Sequence, residues 1–433
     1  MALRAAQAGL SVMLAEERHL GGTCLNEGCI PTKCLCASAE VLHTLGRADQ
    51  FGIMANTAPQ VDMGRVQERK NQVVQQLKDG VQSLLQMQGV TVCMGRATLL
   101  PDKVVQVAGE QYQARHVVLA TGSQPARLPI PGADLPGVLD SSQLLQLDAV
   151  PARLAVIGGG VIGLEFASVF NAFGAEVTVL EYCKEVLPNF DAEMAKRLRM
   201  ALKKRGVTFC TGTAVNGIAR ADDGVLTVTA EQKGKPLSTE ADVVLMAVGR
   251  KPNLDPSELD ALGIAYTRRG IVVDEHLQTS QPGIYAIGDV NGLCQLAHAA
   301  THQGYTALNH IMGSADDTGR SALIPAAVFT MPEAAMVGLT EQAAQEQGLV
   351  VHTYKSYYRS NGKALAMGEA GDGFVKLLAD SQDRIVGAHV LGAHAGDLIH
   401  EAMAWISQGA TVEQLSHAVH AHPTLSELMH VTL

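Results

Sequence analysis

Residues 154–181 read LAVIGGGVIGLEFASVFNAFGAEVTVLE. An apolar run comes first, followed by Gly158, Gly160 and Gly163 in GxGxxG spacing, apolar residues at helical period, a second apolar run and an acid at Glu181. That order predicts strand, tight turn, helix and strand, the unit that grips a dinucleotide. Gly158 permits the turn. Gly160, with Gly159 beside it, lets backbone N–H groups approach a pyrophosphate at the helix N-terminus, and Gly163 lets helix and strand pack closely. Glu181 stands where a carboxylate would accept hydrogen bonds from an adenosine ribose and repel a 2′-phosphate, which favours NAD(H) over NADP(H).

Working outward, a chain of 433 residues has room for two to four domains, each with a core of its own. Hydrophobic residues make up 47% and there are 43 glycines, a balance that suits an α/β protein with many strand-to-helix turns. The 33 Lys and Arg against 43 Asp and Glu give a net charge of −10 without a long basic run, so neither nucleic acid nor an anionic membrane surface is an expected partner. No apolar run is long enough to cross a membrane, and the opening MALRAAQAGLSVMLAEERHL is amphipathic and carries Glu16 and Glu17, unlike a secretory leader. A cytoplasmic location is expected.

Eight cysteines are too sparse for a disulfide scaffold. Cys93, Cys183, Cys210 and Cys294 read as small buried hydrophobes. Cys24, Cys29, Cys34 and Cys36 cluster in and just beyond GGTCLNEGCIPTK, residues 21–33. Zinc is disfavoured because no second ligand pair follows at a suitable spacing. Bystanders remain open, and a redox pair is favoured, since Cys-x4-Cys near a helix start can bring two sulfurs together while the helix dipole stabilises a thiolate.

Separated pieces point to a second nucleotide site. ALRAAQAGLSVMLAE (2–16) reads as a helix and then a strand ending at Glu16, the back half of another dinucleotide unit. HVVLATGSQP (116–125) and GIYAIGDV (283–290) are buried strands running into glycine turns. They flank the 154–181 unit on either side.

Together with MAVGRKPN (246–253), IPAAVFTMPEAAMVGLTE (324–341) and HAHPTLSE (420–427), these stretches closely resemble the class I flavoprotein disulfide oxidoreductases, and among them the dihydrolipoyl dehydrogenase branch, the E3 components of 2-oxo-acid dehydrogenase complexes. The resemblance spans nearly the whole chain. It implies an α/β architecture of two Rossmann-like domains, one for FAD and one for NAD, plus a C-terminal α+β dimerisation domain. The expected boundaries are 1–147 and 268–319 for FAD, 148–267 for NAD and 320–433 for dimerisation. It also implies a homodimer, with the lipoylated domain of an E2 acyltransferase and the core of the multienzyme complex as partners.

By the same resemblance, Cys24 is the thiol that exchanges with the lipoyl disulfide and Cys29 the flavin-side thiolate. Thiol–disulfide exchange needs two nearby sulfurs, one open to substrate. Lys33 is expected to point toward the flavin and to pair with Glu165, because a buried charge requires a partner. His422 is expected to move the proton and Glu427 to orient it, delivered across the dimer interface; His420 matches a noncatalytic position. For FAD the matching positions are Glu16, Gly22, Thr23, Lys33, Ala97, Thr121, Gly122, Ser123, Asp289, Leu296, Ala297 and His298. For NAD they are Gly158, Gly159, Gly160, Gly163, Glu181, Val215 and Gly249. No metal is implied.

Members of the family begin with a strand and a glycine loop for the FAD pyrophosphate, whereas Met1 falls inside the helix that follows that loop; a longer protein is the expectation. Two other readings stay open. Glutathione- and mercury-type reductases share the CxxxxC layout, although the first prefer arginines where Glu181 stands and the second a C-terminal cysteine pair. A non-catalytic dimerising or structural subunit is the reading from outside enzymes.

Overall fold

In a computed structural model, residues 1–54, 59–314 and 323–430 are described. They fall into two compact units, the first formed by 1–31, 68–126 and 250–322, the second by 32–67, 127–249 and 323–433.

The first unit holds a nucleotide-binding fold. Strand Met13–Glu16 runs parallel to Thr91–Met94, and Val117–Leu119 runs parallel to Ile284–Ala286. A three-stranded antiparallel sheet, Ala97–Leu100, Val104–Val107 and Glu110–Gln113, lies between them in sequence. Its core gathers Leu99, Leu259, Ile264, Ile284, Tyr285 and Val290. Ser123–Pro125 pairs antiparallel with Arg250–Pro252, which ties two distant returns of the chain together.

The second unit contains the 154–181 motif. Its parallel sheet runs in the order Thr208–Thr211, Glu176–Glu181, Arg153–Ile157, Val243–Met246, Val138–Leu139. Arg153–Ile157 is first in sequence among the inner three and sits in the middle, so the order reverses beside it, and the crevice at that reversal is where open α/β sheets take nucleotides. Helix Val161–Ala172 follows the glycines directly. Leu164, Phe166, Ala167, Val169 and Phe170 on it are almost wholly buried, each large side chain contributing roughly 2 kcal/mol. The next helix, Ala192–Lys204, is written in local rules: Asp191 caps it, Glu193 lies in its first turn and Lys203 and Lys204 in its last, while Met194, Ala195, Leu198 and Leu202 face inward.

An antiparallel five-stranded sheet completes this unit in the order Ala326–Val328, Glu333–Gly338, Ile385–Gly392, Phe374–Ala379, His352–Tyr357, with helix Ala395–Ser407 on it. Val328, Ala334, Phe374 and Leu391 share one core cluster with the nucleotide-binding helices. Lys376 and His389 are register partners inside this sheet, and both are fully buried. The expected architecture of two Rossmann-like domains and an α+β C-terminal domain is present.

The glycines test the strand–helix contact. A Cβ at Gly163 would lie 2.1 Å from Gly158 O, whereas one at Gly160, at φ −77°, would meet nothing within 4 Å. Gly163→Ala is therefore expected to cost at least ~3 kcal/mol in denaturant unfolding, and Gly160→Ala less than about 1 kcal/mol; equal costs would refute the close-approach argument.

His389 gives a second prediction. Burial pushes its pKa down from 6.5 to about 4, so the folded state keeps it neutral and its contribution is intact above the unfolded value. As pH falls from 6.5 to about 4 the unfolded chain takes up a proton that the folded chain refuses, and about 3 kcal/mol is lost. His389→Leu should start from lower stability but show a shallower decline over that window; an unchanged slope in urea unfolding would sink the assignment.

Candidate active site

The glycine loop sits at the reversal of the parallel sheet. Gly158 holds φ +110°, and a Cβ there would approach Ala247 O to 2.3 Å, so this turn excludes any other residue. Gly160 starts helix Val161–Ala172 with no side-chain cap, which leaves the first N–H groups of a twelve-residue helix aimed at the loop. Across the crevice Gly249, at φ +108°, also has nothing within 4 Å of a Cβ. Glu181 is buried; one carboxylate oxygen accepts from Gly159 N–H and the other from Cys183 N–H at 2.6 Å. An ionised carboxylate has about four acceptor positions, more than its two backbone donors and the Cys183 thiol occupy, which leaves room for a ribose hydroxyl. Open glycines, an uncapped helix start and a fixed acid fit a dinucleotide. Val215 lies in strand Thr213–Arg220, at its bulge.

In the same unit, Lys33 and Glu165 meet. Lys33 Nζ lies 2.8 and 2.9 Å from the two carboxylate oxygens of Glu165, which is 4% exposed. Phe329 N–H donates to Glu165 Oε1 at 3.0 Å, and the Phe329 ring lies 4.3 Å from Lys33 Nζ. Phe329 was not among the expected site residues, although it lies within IPAAVFTMPEAAMVGLTE; a backbone donor leaves no signature in sequence.

His422 and Glu427 also meet, with Nδ1 2.9 Å from Oε1. Thr424 N–H donates to the other carboxylate oxygen at 2.8 Å, and this bond, then His422, holds Glu427 below the usual carboxylate range. An ionised carboxylate only accepts, so the Nδ1 nitrogen carries the hydrogen and Nε2 is left bare to take a proton. His422 is 79% exposed in the side chain. His420 differs: its ring nitrogens are engaged by Glu401 and His430.

The first unit carries Cys24 and Cys29. Cys24 is half-buried on helix Gly22–Glu27, and Cys29 is exposed at the start of helix Cys29–Gly46, with only Gly28 between the two helices. A Cβ at Gly28 would meet Thr23 O at 3.0 Å and the Cys24 Cα at 3.3 Å, so the break between the helices folds tightly back on the Cys24 turn. Cys36, in the same cluster, is a different thiol: burial pushes it up to about 12, and it donates to Phe329 O. Cys93, Cys183, Cys210 and Cys294, expected as buried side chains, are instead only partly buried, because each sits near the edge of its packing; partial burial still pushes Cys183, Cys210 and Cys294 up.

For a flavin, the first unit offers a matching set of groups. Gly22 (φ +62°) and Gly122 (φ +70°) leave open space where a Cβ would stand. Ser123 hydroxyl donates to Asp289, and Arg250 fixes Ser123 from the other side, through Nε to the hydroxyl and a terminal nitrogen to the carbonyl, each at 2.7 Å. Arg250 was a second omission from the expected residues, though it sits in MAVGRKPN. Leu296 begins helix Ala297–Met312 without a side-chain cap. Glu16 accepts from Arg18 N–H and His19 N–H at the end of its strand. Thr23 is exposed, Ala97 opens its strand, and Thr121 hydroxyl donates to Asn253 O. These groups fit FAD.

Comparison with known proteins agrees with this geometry. Residues 1–304 match the pyridine nucleotide-disulphide oxidoreductase family, and 324–432 match the dimerisation domain of that family. The chain is 40% identical to a dihydrolipoyl dehydrogenase of Chlamydia muridarum, covering 99% of this chain and 92% of the relative. It is 39% identical to one of Bacillus subtilis, covering 100% and 94%. Among solved structures it matches LpdA of Mycobacterium tuberculosis with a TM-score of 0.91 at 27% identity, over 99% of this chain and 94% of that one. It also matches the HOCl-induced flavoprotein disulfide reductase RclA of Escherichia coli at 0.87 and 29%, over 99% and 95%. The match to the dimerisation domain supports a homodimer, and among the described residues no helix is long and apolar enough to cross a membrane. With both nucleotide folds present and relatives matched over 92–94% of their length, the chain belongs to the pyridine nucleotide-disulphide oxidoreductases, a family that works with FAD and NAD.

Proposed function

We propose that the chain is a dihydrolipoyl dehydrogenase, oxidising protein-bound dihydrolipoamide to lipoamide and reducing NAD+ to NADH with release of one proton. The observation that carries this reading is the His422–Glu427 pair, a base with its proton-accepting nitrogen exposed and its other nitrogen fixed, on a chain that also holds a Cys-x4-Cys pair at a helix start. The names of its 39–40% identical relatives support the same substrate.

The chemistry of these residues follows in order. His422 Nε2 takes a proton from the substrate dithiol; the resulting thiolate attacks the Cys24 sulfur of an oxidised Cys24–Cys29 pair, the bond between the two cysteines breaks, and Cys29 leaves as thiolate. The second substrate thiol then closes the lipoyl disulfide and releases Cys24 as thiol. Bound FAD supplies the two-electron relay from the reduced cysteine pair to NAD+. Glu427 keeps the tautomer of His422 and stabilises its imidazolium. Lys33, held by Glu165, supplies positive charge on the helix that begins at Cys29.

Glu16, Gly22, Thr23, Ala97, Thr121, Gly122, Ser123, Asp289 and residues 296–298 would hold FAD, with Lys33 beside it. Gly158 to Gly163, Glu181, Val215 and Gly249 would hold NAD. In this reading 1–147 and 268–319 form the FAD domain, 148–267 the NAD domain and 320–433 the dimerisation domain, and His422 serves the cysteines of the partner protomer. The macromolecular partner is the lipoylated domain of an E2 acyltransferase, in the cytoplasm.

The test measures NADH formation from dihydrolipoamide. Cys24→Ser and Cys29→Ser should each abolish it, while Cys36→Ser, which removes the thiol with a pKa raised to about 12, should retain activity. His422→Gln should lower kcat by about 10²–10⁴-fold. A Cys24 variant that still turns over, or a His422 variant at full rate, would defeat the proposal; preference for NADP+ would redirect it to a glutathione-type reductase.

A further inference from the structure

Residues 182–190 run from the end of strand Glu176–Glu181 to the cap of helix Ala192–Lys204 and lie against the glycine loop. Leu187 N–H donates to Gly159 O at 3.0 Å, and a Cβ at Gly159 would meet Val186 Cγ1 at 2.9 Å. Leu187 is 2% exposed and holds φ +47°, a left-handed conformation that a leucine keeps only where its surroundings over-determine it. Along its length the segment is tied by Glu185 to Arg199 at 2.6 and 3.0 Å, and by Gly212 N–H to Cys183 O at 2.8 Å.

Its far end is tied differently. Asp191, fully buried, accepts on Oδ1 from Met194 N–H at 3.2 Å and from Lys376 Nζ at 2.6 Å, while its Oδ2 is buried without a hydrogen-bond partner. Lys376 comes from strand Phe374–Ala379 of the antiparallel sheet and is itself fully buried. It also reaches Glu341 at 2.8 Å and Glu193 at 3.5 Å, and Lys355 neutralises Glu193 at 2.7 Å. Asp191, Glu193 and Glu341 close to within 4.8 Å of one another, as metal ligands would, but the cation among them is the chain's own ammonium. Burial alone would push Lys376 down; its hydrogen bonds to Asp191 and Glu341 outweigh that and hold it above the ordinary lysine value. Both partners are thus charged and dry, and loss of either strands the other.

We propose that Lys376 is a positioning residue for the pyridine nucleotide: by holding Asp191 it fixes the 182–190 segment against the glycine loop, so that the Gly159 and Gly160 backbone and Glu181 stay in register for NAD. The C-terminal domain thereby sets nucleotide affinity in addition to any role in dimerisation. The inference rests on the assignment of the glycine loop to NAD.

The holoenzyme variant Lys376→Met tests it. The KM for NAD+ should rise about tenfold, the loss expected when roughly 1.4 kcal/mol of binding is removed. The rate of flavin reduction by dihydrolipoamide, which does not use NAD+, should stay within about twofold of wild type. An unchanged KM, or a rise in KM accompanied by an equally large fall in the rate of flavin reduction, would overturn it. Should Lys376→Met fail to fold, Glu341→Gln removes only the more exposed partner of the ammonium, and hydrogen exchange should then quicken at 182–190 relative to helix Val161–Ala172; uniform exchange would count against the proposal. Glu181→Ala separates the two readings. If it leaves the KM for NAD+ unchanged, the nucleotide assignment fails; if it raises KM and Lys376→Met does not, only the positioning role fails.

Discussion

Glu165 is a carboxylate at 4% exposure in the middle of an apolar helix, and the arrangement of the second unit depends on how that charge is satisfied. Taking an ion out of water costs several kcal/mol, repaid only by good geometry and further hydrogen bonds. Here Lys33 supplies two contacts and Phe329 N–H a third. Three residues further along the same helix, Ser168 hydroxyl accepts from Met331 N–H at 3.1 Å. Helix Cys29–Gly46, helix Val161–Ala172 and the segment before Glu333–Gly338 therefore cannot slide past one another. Apolar packing among Leu35, Phe166, Phe170 and Val328 gives this junction its bulk, while the partly buried ion pair, with its fixed oxygen and nitrogen positions, sets its register.

What could be read from sequence divides along a physical line. The 154–181 unit was legible because strand, turn and helix are set by local rules: glycine where φ is positive, apolar period elsewhere. The N-terminal cap Asp191 and the inward face of Ala192–Lys204 obey rules just as local. The pairing of Lys33 with Glu165 came from resemblance, because nothing in spacing alone joins residues 132 positions apart, and so did that of His422 with Glu427, five positions apart in a short polar stretch. Phe329 and Thr424 contribute backbone N–H groups, which every residue but proline has, and only the fold selects which ones converge. Arg250 was visible in MAVGRKPN, yet its role in steadying Ser123 and Asp289 required the antiparallel pairing of Ser123–Pro125 with Arg250–Pro252.

Lys376 illustrates the harder case. FVKLLA, residues 374–379, is apolar but for its lysine, and in the structure all six residues are buried. A lysine there is consistent only with acids nearby, and those lie 185 and 35 positions away. Its neighbour in register, His389, is held neutral by the same burial and donates through Nε2 to Leu339 O. Two basic side chains side by side in a dry sheet would repel if both were charged; depressing the histidine below its usual range leaves one ammonium for Asp191 and Glu341.

The choice of nucleotide rests on a similar economy of freedom. A carboxylate at the end of the second strand discriminates against a 2′-phosphate only if it cannot turn away, since two unit charges about 4 Å apart repel by roughly 4 kcal/mol at an effective dielectric near 20 and a mobile side chain would relax most of that. Glu181 is pinned through both oxygens, to Gly159 N–H and Cys183 N–H, and it is buried. Gly159 is in turn pressed by Val186 and bonded to Leu187, so the donor that fixes the acid is itself fixed by the segment that Asp191 anchors. Specificity for NAD is in this way a property of the restraint on Glu181 as much as of its charge, and the restraint runs through the chain to Lys376.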